Sequence, residues 1–443
     1  MSFDNQRLNF LSDLISIKSV AGPEEPNAPY GKGPKAALAR FLKEARDMGL
    51  PIGVINNRVG FVDIGEGEKI VGILCHLDVV PASIEDGWNT DPFTLTVMDN
   101  QLFGRGVVDD KGPACAALFA LKRLVDDRIQ LDSRVRLIVG TDEERGCSCV
   151  DEYVKSNEPN PDIGITPDAQ FPVIFAEKGI LQVELTAAGS QNFIIEGGSA
   201  ANAVPASCTL TYEDEDDKPH TLKTHGKSAH ASTPELGINA IALMPDQLRA
   251  KRIDFSYCPV LCFIDDYINN LGPEKLTGCK ITDLSGGVTV NCGLINVNSE
   301  SQSIVLDIRY PYSASLSDLL VDLTSNAAEY GLKLKVLSHQ SPLNKDMNSR
   351  EIQSLNEIWK SNMEKFSGFH KDYEQKYRRP IAIGGGTYAR HMPNIIAFGP
   401  QAPWNQDQCH QANESMFISD YEALEDILYD AIVELSYLSL NLN

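Results

Sequence analysis

Residues 69–80, KIVGILCHLDVV, are almost continuously apolar and stop at Pro81. A run this short, with little polar alternation, suits a strand covered on both faces. A second β-rich run, RVRLIVGT, occupies 134–141. Between them, 112–127 starts with Gly and Pro and spaces Ala117, Leu118, Leu121 and Val125 as one helical face. An earlier helix at 35–49 aligns Ala37, Leu38, Phe41, Ala45 and Met48 in the same way. This strand–helix–strand order predicts an α/β sheet with parallel strands. The α/β character returns after 350–366 with IAIGGGTYAR, the strand PNIIAFG and a long last helix, where Ser419 and Glu422 read as a capping box.

The middle of the chain obeys a different rule. Segments 181–187, 207–213, 220–226, 288–296 and 303–310 alternate apolar and polar residues, the pattern of a half-solvated antiparallel sheet. The acidic run Glu213 to Asp217 between two of them reads as a solvated hairpin tip. The expected architecture is an α/β domain with a mixed, mostly parallel sheet, built from 1–178 and 345–443 and interrupted by an α+β insertion at 179–344.

Composition narrows the partners. The chain has 443 residues, 39 Lys and Arg against 61 Asp and Glu, and a formal net charge of −22. Such a surface repels nucleic acid and anionic membranes. No segment approaches the ~18–20 apolar residues that span a bilayer. The first residues carry charges throughout and lack a signal-peptide pattern, so the ten cysteines read as cytoplasmic thiols.

Histidines and carboxylates cluster at strand ends. In His76-Leu77-Asp78 the strand period puts both polar side chains on one face, where Asp78 can orient a metal-binding imidazole; taken alone, His76 reads sooner as a satisfied core histidine. Asp109 and Asp110 follow a glycine-rich turn and could be helix caps. Asp142, Glu143 and Glu144 follow a buried strand, where α/β enzymes place active sites, although a solvated loop reads the same way. Asp168 lies among prolines and His410 in a polar loop. Together they supply the ligand set of a co-catalytic zinc or manganese pair.

The ordered motifs GILCHLDVVP, WNTDPF, GRGVVDDKGP, TDEERG, ITPD…EKG, GKSAHASTPELGINA, DIRYP, GGGTYAR and HQANES resemble the di-metal exopeptidases, which include carnosinase-type dipeptidases, glutamate carboxypeptidase and succinyl-diaminopimelate desuccinylase. The likeness runs over nearly the whole chain and is greatest to the bacterial dipeptidase V branch. It implies that His76, Asp109 and Asp168 hold one divalent ion and that Asp109, Glu144 and His410 hold the other. It makes Glu143 the general base and Asp78 the residue that orients His76. His230, from the insertion, becomes an oxyanion partner, and Asn202, Arg309 and the Gly384–Thr387 loop (Gly385 and Thr387 above all) surround a small peptide. In this family the bond after the bridging aspartate is typically cis. The insertion would act as a lid and the protein as a monomer, with a dimer as the alternative. Zinc is the first choice of ion, ahead of manganese or cobalt. The implied activity is dipeptide hydrolysis. An N-acyl amino acid deacylase or carboxypeptidase shares the same residues, and a non-catalytic peptide-binding protein is a remote alternative. Cys147, Cys149 and Cys409 lie beside these motifs without an assigned role.

Overall fold

A computed structural model describes residues 3–440 apart from 215 and 217. Contacts divide the chain into two units. The first runs to Phe175, resumes over Lys345–Ile381, and continues from Thr387; the second comprises Ala176–Asn344 with Ala382–Gly386.

In the first unit, strands Ile52–Ile55, Val59–Ile64, Arg134–Gly140, Ile70–His76, Ile163–Thr166 and Ile395–Ala397 lie side by side in that order. The last four are parallel, with Leu74 opposite Ile138, Ile73 opposite Ile165 and Ile396 also opposite Ile165. The first two form an antiparallel edge, and Ile174–Glu177 pairs antiparallel beyond Ile395–Ala397. Every residue of Ile70–His76 is buried, as the apolar run predicts. Gly164 lets its strand approach Ile70–His76 closely, because a Cβ there would fall 2.3 Å from the Gly72 carbonyl oxygen. Helices Lys111–Asp126 and Ile418–Ser439 pack together and against this sheet. Arg7 on the first helix, Asn5–Ser16, pairs in a fork with buried Glu425, with two N···O distances of 2.7 Å.

The capping box expected at Ser419 is absent. The helix begins at Ile418 behind an N-cap at Phe417, so Ser419 already lies inside it. Glu422 instead accepts the backbone N–H of Phe3 at 2.6 Å. A strand, Ser415–Phe417, runs straight into the helix and displaces the local signature.

The second unit is an antiparallel sheet in the order Pro219–His225, Ser207–Glu213, Phe193–Gly197, Thr289–Val297, Ser301–Tyr310, Gly179–Ala188 and Lys333–Gln340. Alternate residues of Gly179–Ala188 point inward, where Leu181, Val183 and Leu185 join Ile304, Leu306, Val260 and Leu323 in one core. The hairpin of Ser207–Glu213 with Pro219–His225 carries the acidic run at its tip, where Asp214 bonds His220 at 2.7 Å. Glu215 and Asp217 of that run lie outside the described residues. Among the described residues no helix is long and apolar enough to cross a membrane.

Candidate metal centre

The parallel strands of the first unit deliver the polar residues from their carboxyl ends. His76 is the last residue of Ile70–His76, with Asp78 two positions on. Asp142, Glu143 and Glu144 follow Arg134–Gly140, and Asp168 follows Ile163–Thr166. Crevices at this edge of open α/β sheets are the usual place for ligands. His410 arrives from the loop before Ser415–Phe417.

Asp109 is the meeting point. Its Oδ1 lies 2.9 Å from His76 Nε2, and its Oδ2 lies 3.2 Å from His410 Nε2. Asp168 Oδ1 is 3.6 Å from His76 Nε2, and Glu144 Oε2 is 2.9 Å from His410 Nε2. Two groups result, His76 with Asp109 and Asp168, and Asp109 with Glu144 and His410; within each the ligating atoms lie within 4.8 Å of one another. The residues fit a cation. His76 Nε2 is buried and makes no hydrogen bond of acceptable geometry, although carboxylate oxygens lie beside it. Imidazole and carboxylate donors of this kind suit zinc and manganese.

Asp78 meets His76 through its backbone carbonyl and not through the carboxylate that its spacing predicts. His76 Nδ1 is 3.0 Å from the Asp78 backbone carbonyl and 3.6 Å from the carboxylate. An Nδ1–H donated to that carbonyl leaves the lone pair on Nε2. The Asp78 carboxylate instead accepts the backbone N–H groups of Glu143 and Glu144, each at 3.1 Å. Asp110 stands at the N-cap position of Lys111–Asp126 but does not cap that helix with its side chain; it accepts the N–H of His76 at 2.9 Å. The Asp109–Asp110 peptide bond is cis.

The electrostatics favour added positive charge. Burial, and then Asp168, pushes the Glu143 carboxyl well above the usual range. Burial and Asp109 raise Glu144 to about 7. Burial opposes a charged His410, but Asp109 and Glu144 outweigh it and raise its pKa to about 11.

Two participants escaped the sequence reading. Glu414, fully buried, accepts Arg105 Nη1 at 2.6 Å and the backbone N–H groups of Gly106, Val108 and Asp109 at 3.1, 2.8 and 3.1 Å. Its signal was an acid four residues past His410 in the same polar motif. Tyr388 sets its ring edge-on to His76, with centroids 5.9 Å apart, and its hydroxyl lies 3.2 Å from Cys149 Sγ. Cys147 Sγ lies 3.8 Å from Glu143 Oε1. Burial and Asp109 hold the Cys409 thiol well above its ordinary pKa, which makes it a poor nucleophile.

Thr387, also in the first unit, caps the turn Tyr388–His391 by accepting the Ala389 N–H. Asn202, His230, Arg309 and Gly385 belong to the second unit. There the Asn202 carbonyl accepts the Ala231 N–H at 2.9 Å, so Asn202 and His230 lie on adjoining segments. Arg309 is buried, and its Nε and one Nη bond Asp307 two residues back on the same strand. Asp307 also accepts from Gln182 at 3.0 Å.

A match to peptidase family M20/M25/M40 spans residues 72–434, and the chain belongs to that family. It is a peptide hydrolase. A relative from Staphylococcus haemolyticus that carries the name "Putative dipeptidase SH1171" is 30% identical over 450 residues, which cover 93% of each chain. Among solved structures, human carnosine dipeptidase 1 shares the fold at a TM-score of 0.64 and 14% identity, over 98% of this chain and 97% of that one. The Bacillus subtilis YXEP protein, titled a dinuclear metal binding peptidase, shares it at a TM-score of 0.52 and 11% identity, over 98% of each chain.

Proposed function

We propose that the chain is a metal-dependent dipeptidase. The observation that carries this reading is Asp109, whose two oxygens face different histidines, His76 at 2.9 Å and His410 at 3.2 Å. A carboxylate shared in this way is what a pair of divalent ions requires. His76 and Asp168 would complete one site with Asp109, and Glu144 and His410 the other. Zinc is the first choice of ion, with manganese or cobalt as alternatives. When bound, such a pair acidifies a water and draws charge from the scissile carbonyl.

The chain's own residues then divide the work. Glu143 takes the proton of the attacking water and returns it to the departing amine. Asp78 anchors the backbone of Glu143 and Glu144, which keeps base and ligand in register. His230 donates to the developing oxyanion, and Asn202, Arg309, Gly385 and Thr387 hold the small peptide. Residues 1–178 and 345–443 form the catalytic domain and 179–344 its lid, in a monomer. The ten cysteines, all unpaired, suit the cytoplasm.

The test is a panel of dipeptides, tripeptides and N-acetyl amino acids, offered to chelator-stripped and metal-restored protein. Dipeptides alone should be cleaved, and only after zinc or manganese is returned. Full turnover without metal removes the di-metal reading, while preference for N-acetyl amino acids makes the protein a deacylase.

A further inference from the structure

His230 sits in a turn that dictates which of its ring nitrogens carries the proton. Nδ1 lies 3.2 Å from the backbone nitrogen of Ser232 and 2.7 Å from the Ser232 hydroxyl. A peptide N–H can only donate. Nδ1 therefore accepts, and the single proton of the neutral ring falls to Nε2. A proton on Nδ1 would set one N–H against another. The hydroxyl can rotate, so it serves as a second donor to the same lone pair.

The turn is held on both sides. His230 forms an antiparallel bridge with Ala203, the Ala231 N–H donates to the Asn202 carbonyl at 2.9 Å, and the Thr233 N–H donates to the His230 carbonyl at 3.1 Å. Gly384 lies against Ser232, where a Cβ would stand 3.5 Å from the serine Cβ. These contacts fix the backbone that aims Ser232 at the ring.

We propose that Ser232 is a positioning residue that locks His230 in its neutral Nε2–H tautomer, making the ring a hydrogen-bond donor to an anionic oxygen and not a proton acceptor. The opposite tautomer would present a lone pair at Nε2 and repel an oxyanion. The consequence for turnover rests on the reading of His230 as the oxyanion partner; the tautomer does not.

The experiment uses the full, zinc-loaded chain labelled with 15N-histidine. Long-range 15N–1H correlation spectra distinguish protonated from unprotonated ring nitrogens, and His230→Gln assigns the His230 signals by difference. Wild type should show Nδ1 bare and Nε2 protonated. Ser232→Ala removes the hydroxyl but keeps the backbone N–H, so it should keep the Nε2–H tautomer while lowering kcat about threefold to tenfold with KM unchanged, the worth of one hydrogen bond. Ser232→Thr, which keeps the hydroxyl, should restore kcat. A wild-type spectrum with the proton on Nδ1 overturns the proposal, as does a Ser232→Ala spectrum with the proton on Nδ1. An Nε2–H ring in both proteins with kcat unchanged in Ser232→Ala upholds the lock and removes His230 from oxyanion stabilisation.

Discussion

The backbone N–H of Asp109 donates to the carboxylate of Glu414 at 3.1 Å. The residue that faces both histidines is thus held by an acid from the far end of the sequence, four positions beyond His410. The same carboxylate gathers the amides of Gly106 and Val108 and the guanidinium of Arg105. Glu414→Gln keeps the shape but loses the charge, and should weaken metal binding about 10–100-fold, the usual weight of a residue supporting a ligand. Glu414→Ala strands buried Arg105 and should cost about 3–5 kcal/mol of stability. Metal titration of the first variant and chemical denaturation of the second check these values; unchanged metal affinity in Glu414→Gln would reduce Glu414 to a packing role.

Metal loss should follow the geometry of sharing. Asp109→Ala removes an oxygen from both ligand groups, so it should abolish binding of both ions, whereas His410→Ala should chiefly weaken the ion on the Glu144 side. Metal content per chain after dialysis distinguishes the two. Equal loss in both variants would argue against Asp109 as the bridge.

Glu143 belongs to neither ligand group. Glu143→Gln should keep its metal and its substrate affinity while kcat drops by about 10²–10⁴. If that variant loses metal, Glu143 and Glu144 have exchanged roles.

His230→Ala should lower kcat and kcat/KM together by about 10²–10³, the loss associated with one oxyanion donor, while metal content stays constant. Near-normal single-turnover rates in folded, metal-loaded protein would leave oxyanion stabilisation to the ions.

Protons and cations compete for the same lone pairs. Without an ion, Glu144 titrates at about 7 and His410 at about 11, so both hold protons at mildly acidic pH. Those protons must leave before either group can ligate, and affinity should therefore rise with pH. Glu144 loses its proton as pH climbs through about 7, which removes one proton from the number released on binding. Calorimetry in buffers of different ionisation enthalpy reads that number. Affinity that strengthens on acidification would contradict the assigned ligands.

Local patterns disclosed much of this. The apolar run 69–80 marked the buried strand that delivers His76, and period-two alternation at 181–187 marked the antiparallel insertion, because each pattern depends only on which faces are covered. Glu414 was illegible because its partners lie about three hundred residues earlier and only the folded chain brings them together. The Ser419 signature failed for a related reason, since a distant backbone amide at Phe3 claims Glu422. The hairpin of Ile52–Ile55 with Val59–Ile64 went unread even though the first two of its three connecting residues, Asn56 and Asn57, adopt φ of 49° and 53°, left-handed values that asparagine tolerates.

The second unit enters and leaves through paired residues, with Glu177 opposite Leu343 and Ala176 opposite Asn344. A segment whose two ends are neighbours closes its loop at nearly constant entropic cost whatever its length. Apart from the short Ala382–Gly386 stretch, it is a cassette in the chain. Insertion, deletion or exchange within it leaves the strands that lead to His76, Glu144 and Asp168 in register.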